Sequence, residues 1–116
     1  MNRTLLAAAV IALALGSAST ALADGTQIFA WKCATCHGAD GKAKTRMGEK
    51  LKMKDLTTPE AQQRLTEQVI IDAVTNGAKD SETGRERMPA YKGKLTEDEI
   101  KSLVPAVRAL AMPPRR

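Results

Sequence analysis

The chain has 116 residues, three of them aromatic, and a formal net charge of +5 at pH 7. That length holds one domain at most, and two closely spaced cysteines cannot form a stabilising disulfide framework, because a bridge between them would close almost no loop. Phe29, Trp31 and Tyr91 are little material for a core, and a small domain of this kind has use for a large apolar cofactor.

Met1-Asn2-Arg3 supplies a positive charge, Leu5 to Leu15 is an apolar run, and Ala21-Leu22-Ala23 places small residues where a signal peptidase reads them. This layout predicts a secretory signal peptide over residues 1–23, cleaved after Ala23, with a periplasmic domain over 24–116. The apolar run is shorter than the roughly 20 residues that span a bilayer, and Gly16-Ser17 ends it. An uncleaved amino-terminal anchor is the alternative. No second apolar run follows, so the processed chain is expected to have no membrane span.

Asp24 to about Cys36 reads as the first helix, with Gly25, Ile28, Phe29 and Cys33 on one stripe. Gly38 ends it. Residues 38–55 are rich in glycine and lysine and predict a loop with one helical turn. Thr58-Pro59 starts a second helix, with a capping threonine and a proline where its missing N–H does no harm. Thr66 starts a third, with Val69, Ile70, Ala73 and Val74 along one face, and Asn76-Gly77 stops it. Ala78 to Tyr91 reads as polar loop. Thr96-Glu97-Asp98-Glu99 is a capping box worth about 1 kcal/mol, and Leu95 and Ile100 form a hydrophobic staple around it. Ile100, Leu103, Val104, Val107 and Leu110 then make the apolar stripe of a last helix. Pro105 removes one hydrogen bond inside that helix and predicts a kink. No segment reads as a strand, so the class is all-α.

Cys33-Ala34-Thr35-Cys36-His37 is the C-x-x-C-H signature of covalent haem attachment. Two thiols on one helical turn can add to the two vinyl groups on one porphyrin edge, and the following imidazole then lies under the ring, within reach of the iron. A thioredoxin-like pair would sit in a βαβ unit, which is absent. Zinc would need a fourth ligand, and the chain has no other Cys or His. The expected cofactor is therefore one haem c, held by Cys33 and Cys36 and ligated on the proximal side by His37. A distal ligand can come from Met, His or Lys, or the position can stay open; the single histidine excludes a second imidazole from this chain. Among Met47, Met53, Met88 and Met112, a gap-filling role is the ordinary one for a methionine. Met88 lies in a polar loop and is followed by Pro89, which makes it the expected distal ligand. Met53 is the reserve candidate, and Met112 lies beyond the last helix.

These residues resemble the class I c-type cytochromes over the whole of residues 24–116. Gly25, Phe29, Cys33, Cys36 and His37 match that family's first helix, Met88-Pro89-Ala90-Tyr91 is similar to its axial-methionine loop, and Leu95 to Leu110 is similar to its last helix. The resemblance implies a cytochrome c fold of about four helices wrapped round one covalently bound haem, with Gly25 and Phe29 packed against the last helix. Two departures stand out. No proline follows the haem motif before Pro59, and Ala106 stands near a position where relatives commonly carry an aromatic.

The implied function is single-electron transfer between periplasmic or membrane redox partners by a monomeric carrier, not an enzyme. A haem-based sensor or small-molecule binder is one rival, if the sixth position is open; a dedicated subunit of a periplasmic oxidoreductase is another. Lys42, Lys44, Arg46, Lys50, Lys52 and Lys54, with Lys79, Arg85, Arg87, Lys92 and Lys94 around Met88, could ring the haem edge and steer an acidic docking surface. A nucleic-acid partner is not expected, because no recognition motif is present.

Overall fold

In the computed structural model, which describes residues 23–112, the chain turns helical at Gly25. The predicted signal peptide lies outside the described residues. Asp24 caps the first turn, its carboxylate accepting the N–H groups of Thr26 and Gln27 at 3.1 and 3.3 Å. Helix α1 (Gly25–Ile28) runs into a π-turn (Phe29–Cys33) and then α2 (Ala34–His37). The first helix is thus one rod with a wide turn in its middle, where the N–H of Ala34 reaches the carbonyl of Phe29. Its stripe matches the periodicity, since Gly25, Ile28 and Phe29 are all buried. Trp31 lies on the outside, 69% exposed, and adds nothing to the core.

One helical turn, α3 (Arg46–Lys50), interrupts the lysine-rich loop. Thr45 caps it, and the same hydroxyl donates to the carbonyl of Cys36 at 2.7 Å, so the loop is fastened to the end of α2. Helices α4 (Pro59–Arg64) and α5 (Glu67–Asn76) begin at Thr58 and Thr66, whose hydroxyls accept the N–H groups of Ala61 and Val69. Ile70 and Val74 are buried, but Val69 faces outward at 45% exposure. Val69 stands in the first turn of α5, one position away from Ile70 and thus about 100° round the helix from it. Gly77 ends α5 with φ +72°, and a Cβ there would lie 2.4 Å from the carbonyl oxygen of Met88. The closeness of two chain segments, as well as the turn, requires glycine there.

The segment from Ala78 to Tyr91 is more ordered than the polar loop its composition suggests. Two short strands, β1 (Ala78–Lys79) and β2 (Glu86–Met88), pair antiparallel, Ala78 opposite Met88, with a bulge between. Strands this short have no room for the alternation that marks a half-buried strand in sequence. The Asp80 carboxylate organises the connecting turn by accepting the N–H groups of Glu82 and Thr83 at 3.0 and 2.8 Å. The other elements among the described residues are helices joined by loops.

Helix α6 (Glu97–Arg108) carries the predicted capping box, with Thr96 and Glu99 bonded reciprocally at 3.0 and 3.1 Å. It continues past Pro105 to Arg108, so the proline falls in its last turns. Ile100, Leu103 and Val107 are buried along it and meet Ile28, Phe29, Ile70 and Val74 in one core. α1 crosses α6 at Gly25, where a Cβ would stand 1.8 Å from the carbonyl oxygen of Ser102. The crossing is made backbone to backbone, and Ala106 borders open spaces beside it, against Gly25 and Thr26 on one side and Phe29 and Ala30 on the other. At the far side of the fold, Thr57 is buried and donates through its hydroxyl and N–H to the Asp55 carboxylate at 2.6 and 2.8 Å. These bonds hold the Asp55 carboxyl below its ordinary pKa.

Gly25→Ala is expected to destabilise the protein by about 3 kcal/mol, because neither backbone at the crossing can yield; the denaturant midpoint of the haem-loaded protein measures it. Thr57→Val should cost about 1 kcal/mol at neutral pH through the lost hydroxyl donor. A depressed carboxylate pKa stabilises above the ordinary aspartate value and ceases to do so as pH falls through the lowered one. The difference between the variant and the parent chain should therefore vanish in acid, as paired denaturation curves at two pH values would reveal.

Candidate functional site

The first helix, α4–α5, α6 and the Met88 segment surround an apolar cleft of about 460 Å³. Phe29, Cys33 and His37 form one wall, Leu65, Ile70 and Val74 another, and Leu103 and Val107 the floor. Met88 reaches it from the end of β2. A second opening of about 370 Å³ is lined by Cys33, Cys36, His37 and Met88 together with Met53, Arg87 and Tyr91. His37 and Met88 thus border both spaces. Cys33, Cys36, His37 and Met88 all line the second opening, as does Met53, and all but Cys36 and Met53 also line the cleft. Met112 borders neither space and is 43% exposed.

The π-turn explains how the first helix presents its residues. In a straight α-helix each residue advances about 100°, and a stripe starting at Gly25 would drift off the core by His37. The wider turn absorbs one extra residue and sets the later ones back by about that angle. Cys33 and His37 consequently share the cleft wall with Phe29. The rings of Phe29 and His37 lie 6.2 Å apart at 35°.

Burial dominates the electrostatics. It holds the His37 imidazole below its ordinary pKa, leaving it neutral and able to donate a nitrogen lone pair. Burial, then the charge of Cys36, pushes the Cys33 thiol up to about 11. Burial also raises the Tyr91 phenol, with smaller contributions from both cysteines. His37 Nδ1 is buried without a hydrogen-bond partner among the described residues. No proline stands between His37 and Pro59, and no other carbonyl among the described residues accepts from His37 Nδ1.

An apolar cleft that opens beside two thiols and is lined by a neutral imidazole and a thioether fits a haem. No cluster of three or more acidic, His or Cys side chains suited to a bare metal ion occurs among the described residues. Sequence reasoning missed the residues that hold Met88 in place. Tyr91 donates its hydroxyl to the carbonyl of Lys32 at 3.1 Å, and its N–H to the carbonyl of Val74 at 2.9 Å. Arg87 donates to the carbonyls of Leu51 and Lys52 at 2.7 and 2.8 Å. It is half-buried and turned onto the protein, so it does not belong to the solvated basic ring. Nothing in the spacing of the sequence marks these long-range bonds to backbone.

The family described as cytochrome c oxidase, cbb3-type, subunit III matches residues 20–105. Cytochrome c6 of Leptolyngbya boryana is 36% identical over 81 residues, covering 70% of this chain and 82% of the relative. Cytochrome c6 of Diacronema lutheri is 30% identical over 90 residues, covering 78% and 96%. Cytochrome c6 of a Nostoc strain is 35% identical over 80 residues, covering 69% and 62%. Among solved structures, the c-type cytochrome KustC0563 superposes with a TM-score of 0.68 at 35% identity, covering 77% of this chain and 99% of that one. With an all-α fold closed over an apolar slot and relatives matched along most of their length, the chain belongs to the class I c-type cytochromes, electron-transfer proteins that carry one covalently bound haem c.

Proposed function

We propose that Cys33 and Cys36 form the two thioether bonds, that His37 is the proximal iron ligand, and that Met88 is the distal one. The observation that carries this reading is that His37 and Met88, from segments far apart in sequence, border the same slot beside both cysteines. When bound, the haem supplies an iron that changes oxidation state by one electron. The protein's part is to keep that change small in structural terms. The neutral His37 imidazole and the Met88 thioether suit both oxidation states, and a thioether ligand raises the potential. Phe29, Ile70, Val74 and Leu103 exclude water from the slot, which favours the less charged, reduced state of the site. Met53 is the weaker ligand candidate, because it borders only the second opening.

The partners are other redox proteins. We infer that they dock through acidic surfaces and that the carrier is a monomer exported by a signal peptide cleaved after Ala23. Lys44, Arg46, Lys50, Lys52 and Lys54 are exposed along one loop and Lys92 and Lys94 along the segment after Met88, which supports electrostatic steering. No helix among the described residues is long and apolar enough to cross a membrane. The relatives named cytochrome c6 favour a diffusing carrier. The family description, which names an oxidase subunit, is the one observation on the side of a dedicated subunit.

Met88→Ala should keep its covalent haem, with the intact mass shift unchanged. It should lose the far-red ferric absorption of methionine-ligated haem and bind carbon monoxide rapidly in the ferrous state. If that absorption persists in Met88→Ala and disappears in Met53→Ala, the distal ligand is Met53. Electron exchange with an acidic redox protein should slow by about tenfold between ~0.01 and ~0.15 M ionic strength, as the screening length falls from about 30 to 8 Å. Stopped-flow rates that ignore salt would remove the steering role of the lysines.

A further inference from the structure

The segment that carries Met88 is fastened at three places. Gly77 lies directly beneath the carbonyl of Met88, in a gap that admits no side chain. Tyr91 ties the far end to α5 and to the first helix. On the near side the only side-chain tether among the described hydrogen bonds is Arg87, the residue immediately before Met88.

Arg87 Nη2 bridges two consecutive carbonyls, those of Leu51 and Lys52. These follow α3, where the last carbonyls of a helix have no partner of their own. The turn that presents them is well defined. Lys52 adopts φ +52°, uncommon for a residue with a side chain, and the N–H of Met53 returns to the carbonyl of Gly48 at 2.8 Å. The acceptors are therefore set before Arg87 arrives. α3 is itself locked to the haem motif, because the Thr45 hydroxyl at its N-terminus donates to the carbonyl of Cys36. A chain of bonds thus runs from the attachment helix through Thr45, α3 and Arg87 to the residue that bears the methionine.

We propose that Arg87 is a positioning residue for the axial methionine: by gripping the Leu51 and Lys52 carbonyls, its guanidinium holds the Met88 thioether on the iron against competing ligands. The proposal rests on Met88 being the distal ligand. An arginine suits the task because its planar head offers several N–H donors while its stem packs along the slot edge. Without the grip, the amino-terminal side of Met88 is held only by the short pairing of β2 with β1. The thioether would then leave more often, although the thioethers of Cys33 and Cys36 and the bond to His37 would be untouched.

The test uses the haem-loaded protein carrying Arg87→Met, which keeps the stem and removes the donors, and Arg87→Lys, which keeps the charge without the planar head. Thr96→Ala, a lost cap remote from the slot, serves as a control of comparable stability loss. In Arg87→Met the far-red methionine absorption should disappear at a pH at least one unit lower than in the parent protein. Carbon monoxide should bind the ferrous form at least tenfold faster, with haem content unchanged. Arg87→Lys should fall between the two, and Thr96→Ala should leave both readings as in the parent. If Arg87→Met does not accumulate with haem, Arg87→Lys decides by the same two readings. Arg87 variants that match the parent in both, while Met88→Ala abolishes the absorption, would overturn this inference alone. A parent protein that lacks the absorption and binds carbon monoxide rapidly would overturn the Met88 reading, and this one with it.

Discussion

The slot depends on the contact between Gly25 and the backbone of Ser102. It brings the first and last helices close enough for Ile28 and Phe29 to meet Leu103 and Val107 in the core, and Phe29, Leu103 and Val107 also line the cleft. Any side chain at position 25 would push the two rods apart and open the floor. The remaining elements attach to this pair. α5 lays Ile70 and Val74 against it, and the segment after Gly77 brings Met88 over the top.

Much of this was legible in the sequence because it is written in short-range chemistry. The caps at Thr58, Thr66 and Thr96 and the stops at Gly38 and Gly77 are local features, and each lies at an element's end. The C-x-x-C-H motif is also local, and the attachment turn proposed from it needs no distant residue to be seen. What escaped depends on distant partners or on fine geometry. The π-turn begins only at Phe29, and the spacing of Gly25, Phe29 and Cys33 reads the same with or without it, so periodicity does not report it. The ribbon formed by Ala78–Lys79 and Glu86–Met88 is too short to show a pattern. Val69 reads as a face residue but stands out in the solvent, because a first-turn position lies beyond the reach of the core. Arg87 reads as one more surface charge, and only its two distant carbonyl partners set it apart.

The surroundings of His37 combine two opposing features. Burial keeps the imidazole neutral, which suits a metal ligand, yet leaves Nδ1 without an acceptor. An acceptor at that nitrogen would fix the ring orientation and make the imidazole more basic. Here the ring is oriented by packing, with the Phe29 ring 6.2 Å away. The ring's orientation therefore depends on the same crossing of α1 and α6 that shapes the slot.

The meeting of the first and last helices also bears on the order of assembly. The residues that close the slot, Leu103 and Val107, come at the end of the chain, whereas the cysteines come near its beginning. A chain emerging amino terminus first exposes both thiols long before the helix that will cover them exists. Such non-local closure is slow compared with forming a single helix. For the proposed attachment at Cys33 and Cys36 this leaves an interval in which both thiols are uncovered, with the Cys33 thiol free of the burial that raises its pKa in the finished domain. Once the last helix docks, that interval ends.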